Sequence, residues 1–203
     1  MLIPDGTSRF ELIIKRSRFI AEAVSVRSPD DARMLLKEKR LEHPDANHVV
    51  HAFIVGEQRQ FMGLSDDGEP SGTSGKPVLE VLKGRGITNI MLTVVRYFGG
   101  TKLGTGGLVK AYSEAAKGVL EHLSVKELVK YKRFECRIEY SLYEPLKKVI
   151  LGFNGKIDDE RFETDVFIQG IIPLRSSESF KHQIVEISMG QAALTISEDM
   201  FQA

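Results

Sequence analysis

What the sequence has little of narrows its class first. It has one cysteine, Cys136, so an internal disulfide and a four-cysteine zinc site are both excluded. It has no excess of charge: Lys and Arg total 28, Asp and Glu total 28, and the formal net charge is zero. Whole-chain electrostatics therefore does not favour nucleic acid, and any basic surface has to come from local segregation of charge. No apolar run approaches the ~18–20 residues that span a bilayer. The opening Met1-Leu2-Ile3-Pro4-Asp5 lacks the basic start and long apolar stretch of a secretory signal. A cytoplasmic protein with no membrane partner is expected.

What is there is an ordinary globular composition, 42% hydrophobic and 28% charged over 203 residues, enough for one large domain or two small ones. Arg9 to Lys15 and Arg18 to Val26 alternate as short strands. Ser28-Pro29-Asp30-Asp31 supplies a hydroxyl cap, a first-position proline and first-turn acids for a helix running to about Leu41. His48 to Val55 reads as a strand, and Gly63 to Pro77 as irregular loop. Pro77 opens a short helix, and Asn89 to Phe98 is a strong central strand. It runs into a glycine-rich loop, Gly99 to Gly107, before a helix with Leu108, Tyr112, Ala115, Val119 and Leu123 on one stripe.

The pattern restarts beyond Ser124. A charged connection at Val125 to Lys130 leads into strand, helix, strand, strand, helix, strand, the βαββαβ order of a ferredoxin-like split arrangement. Two α+β domains are expected, residues 1–128 and 129–203. Phe134-Glu135-Cys136-Arg137-Ile138 alternates so that Cys136 falls on the apolar face, which predicts a buried, inert thiol.

The glycine loop completes no nucleotide motif. Gly99 and Gly104 have Walker A spacing, but Thr105 and Gly106 stand where Lys and Ser/Thr belong. Gly104 and Gly106 begin a dinucleotide fingerprint that Val109 ends. Two readings stand: a tight turn that packs the helix onto the sheet, or an anion or nucleic-acid surface of exposed amides at a helix N-terminus.

The second unusual stretch runs from Ser65 to Pro77. Its acids do not match an EF-hand loop, and Gly72-Thr73-Ser74-Gly75-Lys76 does not complete G-x-S-x-G. An ordered loop is expected, formed by Asp66, Asp67, Gly68, Glu69, Gly72 and Gly75, with its acids accepting amide hydrogen bonds or pairing with an arginine. Gly99, Gly100, Gly104, Gly106 and Gly107 form the other loop. His48 and His51 point to opposite faces of one strand, so no shared metal, and no cofactor, is expected.

Several of these blocks together resemble the YigZ/IMPACT family. They are Lys15-Arg16-Ser17-Arg18-Phe19-Ile20-Ala21, His43-Pro44-Asp45-Ala46, Ser65 to Gly72, Gly75-Lys76-Pro77, Val95-Arg96-Tyr97-Phe98-Gly99-Gly100 and Gly104 to Ser113. Ser74, where the family often has alanine, is a small departure. The resemblance implies an N-terminal domain like the second domain of the fifth small-subunit ribosomal protein. It also implies a ferredoxin-like C-terminal domain, the pair resembling the last two domains of elongation factor G. RNA or ribosome contact is implied, and so is a role in translational control. The protein partner of eukaryotic relatives is not carried over, because they engage it partly through a domain this chain lacks.

Three functional readings follow: a non-enzymatic RNA- or ribosome-binding protein, an enzyme or binder of a phosphorylated small molecule, and a protein-interaction module. The first is preferred. Its expected nucleic-acid surface is Lys76, Arg96, Tyr97, Lys102 and Lys110; Tyr97 or Phe98 either stacks a base or fills the core, and for Phe98 the core reading weighs at least as much.

Overall fold

The computed structural model describes residues 1–202, and the chain divides into two units, Met1–Glu127 and Leu128 onward. In the first unit, β1 (Leu2–Pro4), β2 (Ser8–Ile14), β3 (Ser17–Ser25), α1 (Pro29–Glu42), β4 (His48–Val55), β5 (Phe61–Ser65), α2 (Gly75–Gly84), β6 (Ile90–Tyr97), α3 (Gly104–Glu121) and β7 (Val125–Glu127) follow one another. Five strands form one antiparallel sheet in the order β2-β3-β6-β4-β5.

β6 lies at the centre and is buried on both faces, as its near-continuous apolar run dictates. The pleat sends Ile90, Leu92 and Val94 into a core with Phe19, Ala21, Val50, Ile54 and the inner stripes of α2 and α3. It sends Met91 and Val95 to the opposite face, where Ala32, Leu35 and Leu36 of α1 cover them. α1 begins as its sequence dictates: Ser28 Oγ accepts the Asp31 amide at 3.0 Å, and Asp31 accepts the Arg27 amide at 2.8 Å.

Three local readings are corrected. The stretch Gly63 to Pro77 is not irregular throughout, because Gly63 to Ser65 lies in edge strand β5 and Gly75 opens α2. Gly63 weakens the strand pattern for a packing reason: a Cβ there would fall into the Phe53 ring. The connection at Val125 to Lys130 does hold the division between the units, after Glu127, but it is not without structure: Val125–Glu127 form β7, paired antiparallel with Leu2–Pro4, and Lys130 already belongs to the next strand. The glycine loop ends early, since Gly104, Gly106 and Gly107 lie in the first turn of α3 rather than in a loop.

Asp66 organises the chain between β5 and α2. Its Oδ1 accepts from the amides of Ser74 (3.1 Å) and Gly75 (2.8 Å) and from the Ser74 hydroxyl (2.6 Å), while Oδ2 accepts the Gly72 amide at 2.8 Å. Ser74 supplies no side-chain cap, so Asp66 caps α2 from eight residues away and places a negative charge at its N-terminus. Burial alone raises the Asp66 carboxyl, but the Ser74 hydroxyl and the amides of Gly72, Gly75 and Ser74 outweigh it and hold the group below its ordinary value.

The second unit contains β8 (Lys130–Ile138), α4 (Tyr143–Gly152), β9 (Lys156–Phe162), β10 (Val166–Pro173), α5 (Ser177–Ile187) and β11 (Ala193–Gln202). Its antiparallel sheet has the order β11-β8-β10-β9, the ferredoxin-like arrangement of a βαββαβ chain. Phe134, Cys136, Val166 and Ile168 meet Leu146, Ile150, Phe180 and Ile184 of the helices. Cys136 is fully buried, and burial pushes its thiol up to about 11, which leaves it protonated and unreactive. No helix among the described residues is long and apolar enough to cross a membrane.

Two stability outcomes follow. Asp66→Asn should cost about 2–3 kcal/mol in urea unfolding at neutral pH, because charge-assisted acceptors for three amides are removed. The folded carboxyl lies below its ordinary 3.8, so the wild-type advantage is complete above that value and shrinks as pH falls through the depressed one. A gap independent of pH down to acid unfolding contradicts this. At Gly170, where the β10 register shifts, a Cβ would fall onto the Lys156 carbonyl of the adjacent strand. Gly170→Ala should therefore destabilise the second unit by about 2–3 kcal/mol, and an unchanged urea midpoint would refute the packing.

Candidate functional site

The antiparallel registers bring one end of the five-stranded sheet together from distant sequence. The β2–β3 turn, the start of β4, the end of β5 and the end of β6 all lie there. Lys15 and Arg16 form the two-residue turn with φ of 46° and 69°, the left-handed pair that suits the twist of a hairpin. Gly99 packs directly on that turn, since a Cβ there would fall inside the Arg16 backbone. Ser17 Oγ accepts the Gly99 amide at 3.1 Å and an Arg96 Nη2 hydrogen at 3.3 Å.

Arg96 faces the α3 side of the sheet and is 5% exposed. A guanidinium cannot lose its charge there, so it has to be paired. Glu69 does this: its Oε1 accepts from Arg96 Nη1 at 2.6 Å and from the Tyr112 hydroxyl of α3 at 2.7 Å. Burial, then the bond to Glu69, drives the Tyr112 hydroxyl far above its ordinary value, so it stays a donor. The guanidinium carbon lies 5.4 Å from the Phe19 ring centre and 5.6 Å from that of Phe98. Arg96 Nε is buried without a hydrogen-bond partner among the described residues.

His48 stands opposite Arg96 in the β4–β6 register. Its Nδ1 lies 2.8 Å from the Asp67 carbonyl oxygen, which can only accept, so Nδ1 carries the proton. Nε2 is left 3.8 Å from Glu69 Oε2. Asp67 also accepts the Val49 amide at 2.7 Å through Oδ2 and pairs through Oδ1 with Arg40. Above this floor opens a cavity of about 390 Å³, walled by Pro70, Leu103, Leu108 and Phe98, with Lys102, Gly104 and Thr105 at its rim.

The expected binding residues are not one patch. Lys102 is exposed at the cavity rim. Arg96 is not a surface cation but the buried partner of Glu69. Tyr97 follows it by one residue, so the pleat turns it to the α1 face, half-buried, with its hydroxyl 2.8 Å from His43 Nδ1. The exposed ring is Phe98, at 45%. Lys76 lines a different groove of about 740 Å³, between α2 and α3, with Pro77, Val81 and Lys117. Lys110 is exposed on α3, 3.8 Å from Glu114. The acids occupy inward positions: Asp66 at the N-terminus of α2, Asp67 against β4, Glu69 under the cavity. Gly68, φ 85°, and Gly72, φ 74°, take the left-handed turns between them, and Gly75 lies so close to Ser65 that a Cβ would sit 2.8 Å from its carbonyl oxygen. Gly100, φ 83°, and Gly104, φ 74°, turn the chain from β6 into α3. Sequence reasoning does not reach His48, Tyr112, Lys15 and Arg16 as site residues. The cross-strand position of His48 opposite Arg96 is the available signal for the first. Among the described residues no group of three or more His, Cys, Asp or Glu is arranged to hold a metal.

Comparison with known proteins agrees with this arrangement of blocks. The Impact N-terminal domain family matches residues 15–120. The chain is 34% identical over 200 residues to the IMPACT family member YigZ of Escherichia coli, covering 98% of each. It is 32% identical to an IMPACT family member of Haemophilus influenzae, covering 97% of each. It is also 29% identical to the Bacillus subtilis member YvyE, over 93% of this chain and 87% of that one. A crystal structure of a hypothetical protein, 34% identical, covers 98% of both chains with a TM-score of 0.66. The chain therefore belongs to the IMPACT family, and the family's domain is the unit whose sheet end carries this site.

Proposed function

We propose that the protein is a non-enzymatic RNA- or ribosome-binding protein that acts in the regulation of translation. The observation that carries this reading is Phe98. Its ring is 45% exposed at the end of an otherwise buried strand, and its amide is fixed by Asn47 Oδ1 at 2.7 Å. The Arg96 guanidinium lies against it at 5.6 Å. A large exposed ring that is held still offers a stacking platform that loses little entropy on binding. Exposed Lys102 follows it in the same loop, and the Lys15-Arg16 turn packs against Gly99 beside it. Cations around an exposed ring suit a single strand, whose phosphates pair with the cations while a base stacks. The translational setting comes from the family likeness of the signature blocks, several of which form this end of the sheet.

RNA affinity measured across a salt series tests the reading. Phe98→Ala should weaken binding of a single-stranded oligonucleotide by about 1–3 kcal/mol with little change in salt slope. Lys102→Glu should lower the slope by roughly 0.7, the contribution of one phosphate that is no longer neutralised. Circular dichroism confirms folding. Folded variants with wild-type affinity and slope would remove this surface from RNA binding.

A further inference from the structure

The cavity under Phe98 has a chemistry that stacking and charge alone do not use. At its floor Glu69, whose side chain is 3% exposed, commits Oε1 to both Arg96 and Tyr112. Oε2 has no hydrogen bond among the described residues and lies 3.8 Å from His48 Nε2. Because His48 Nδ1 donates to the Asp67 carbonyl, Nε2 of the neutral ring presents a lone pair. Two acceptors thus face one another across a gap too long for a direct bond. One nitrogen carrying two hydrogens satisfies both.

The walls and rim extend the pattern. Pro70, Leu103, Leu108 and Phe98 enclose a space suited to a flat ring, and about 390 Å³ accommodates one nucleotide rather than several. At the rim α3 begins, an 18-residue helix with no side-chain cap and no acid in its first turn. Its first amides and Lys102 favour an anion. Donor demand at the floor, a flat apolar middle and an anion site at the mouth run in the order base, ring face, phosphate.

We infer that the cavity takes a single nucleotide whose base carries an exocyclic amino group, adenine, cytosine or guanine rather than uracil. The amino group lies between Glu69 Oε2 and His48 Nε2, and the phosphate lies at Lys102 and the first turn of α3. This deepens the RNA-binding reading by giving it base selectivity, and it rests on that reading only for the nucleotide being part of a strand.

The test measures binding of AMP, CMP, GMP and UMP, and of oligo-A, oligo-C and oligo-U, to wild type, His48→Ala and Thr105→Trp by calorimetry. Thr105 is exposed at the rim, so tryptophan there blocks the cavity without disturbing the core. Expected is a preference of at least about tenfold for amino-bearing bases over uracil. His48→Ala should abolish that preference, and Thr105→Trp should weaken monophosphate binding. Oligonucleotides that bind without base preference, and equally well to folded Thr105→Trp, overturn the cavity proposal and leave the surface reading standing. Monophosphates that bind with the preference while oligonucleotides do not support the cavity and overturn the RNA reading. No binding of either overturns both.

Discussion

Arg96 is a permanent cation placed inside a core, and much of the first unit is arranged around neutralising it. Removing one partner from such a pair leaves an uncompensated buried charge, at a cost of about 3–5 kcal/mol. Glu69 therefore has to be delivered to one place. It is delivered by a loop whose own path is set by Asp66, which gathers three amides and caps α2, and by Asp67, which fastens the loop to the start of β4. Tyr112 donates to the same Glu69 oxygen and so fixes how α3 is rotated against the sheet. Phe19 and Phe98 bracket the guanidinium. The position of the exposed ring is a consequence of where the buried charge lies.

The same arrangement accounts for how a chain of zero net charge leaves cations, rather than the acids of this loop, exposed at one end of the sheet. A run that reads Asp-Asp-Gly-Glu would, on a surface, repel phosphate. Here each carboxylate turns inward to a different partner: amides for Asp66, an amide and Arg40 for Asp67, Arg96 and Tyr112 for Glu69. Lys15, Arg16 and Lys102 are left facing solvent nearby. Segregation is achieved by depth rather than by sequence position.

The architecture was largely legible, because long periodic segments carry strong signals. The bounds of β4 are those the alternation of His48 to Val55 predicts, and the βαββαβ order of the second unit is legible from period changes alone. Three-residue strands such as β1 and β7 carry no period to read, and β5 hides its own by placing Gly63 under Phe53. The site was legible as a set of segments but not as a surface. The period-two argument that separates His48 from His51 separates Arg96 from Tyr97 as well, and it was needed there too. Which of Tyr97 and Phe98 is exposed depends on the Tyr97 hydroxyl finding His43, a tertiary contact across 54 residues. Sequence spacing contains no trace of it.

The hydrogen bonds that close the site also order it in time. Glu69 meets Arg96 across 27 residues and Tyr112 across 43, while Ser17 reaches Arg96 and Gly99 across 79 and 82. Contacts this distant form only after long loops have been closed. All five strands of the sheet precede Tyr112 in the chain, so a growing chain that stops short of Tyr112 leaves Glu69 without its last donor. The closed site is thus a property of the finished unit rather than of any emerging segment.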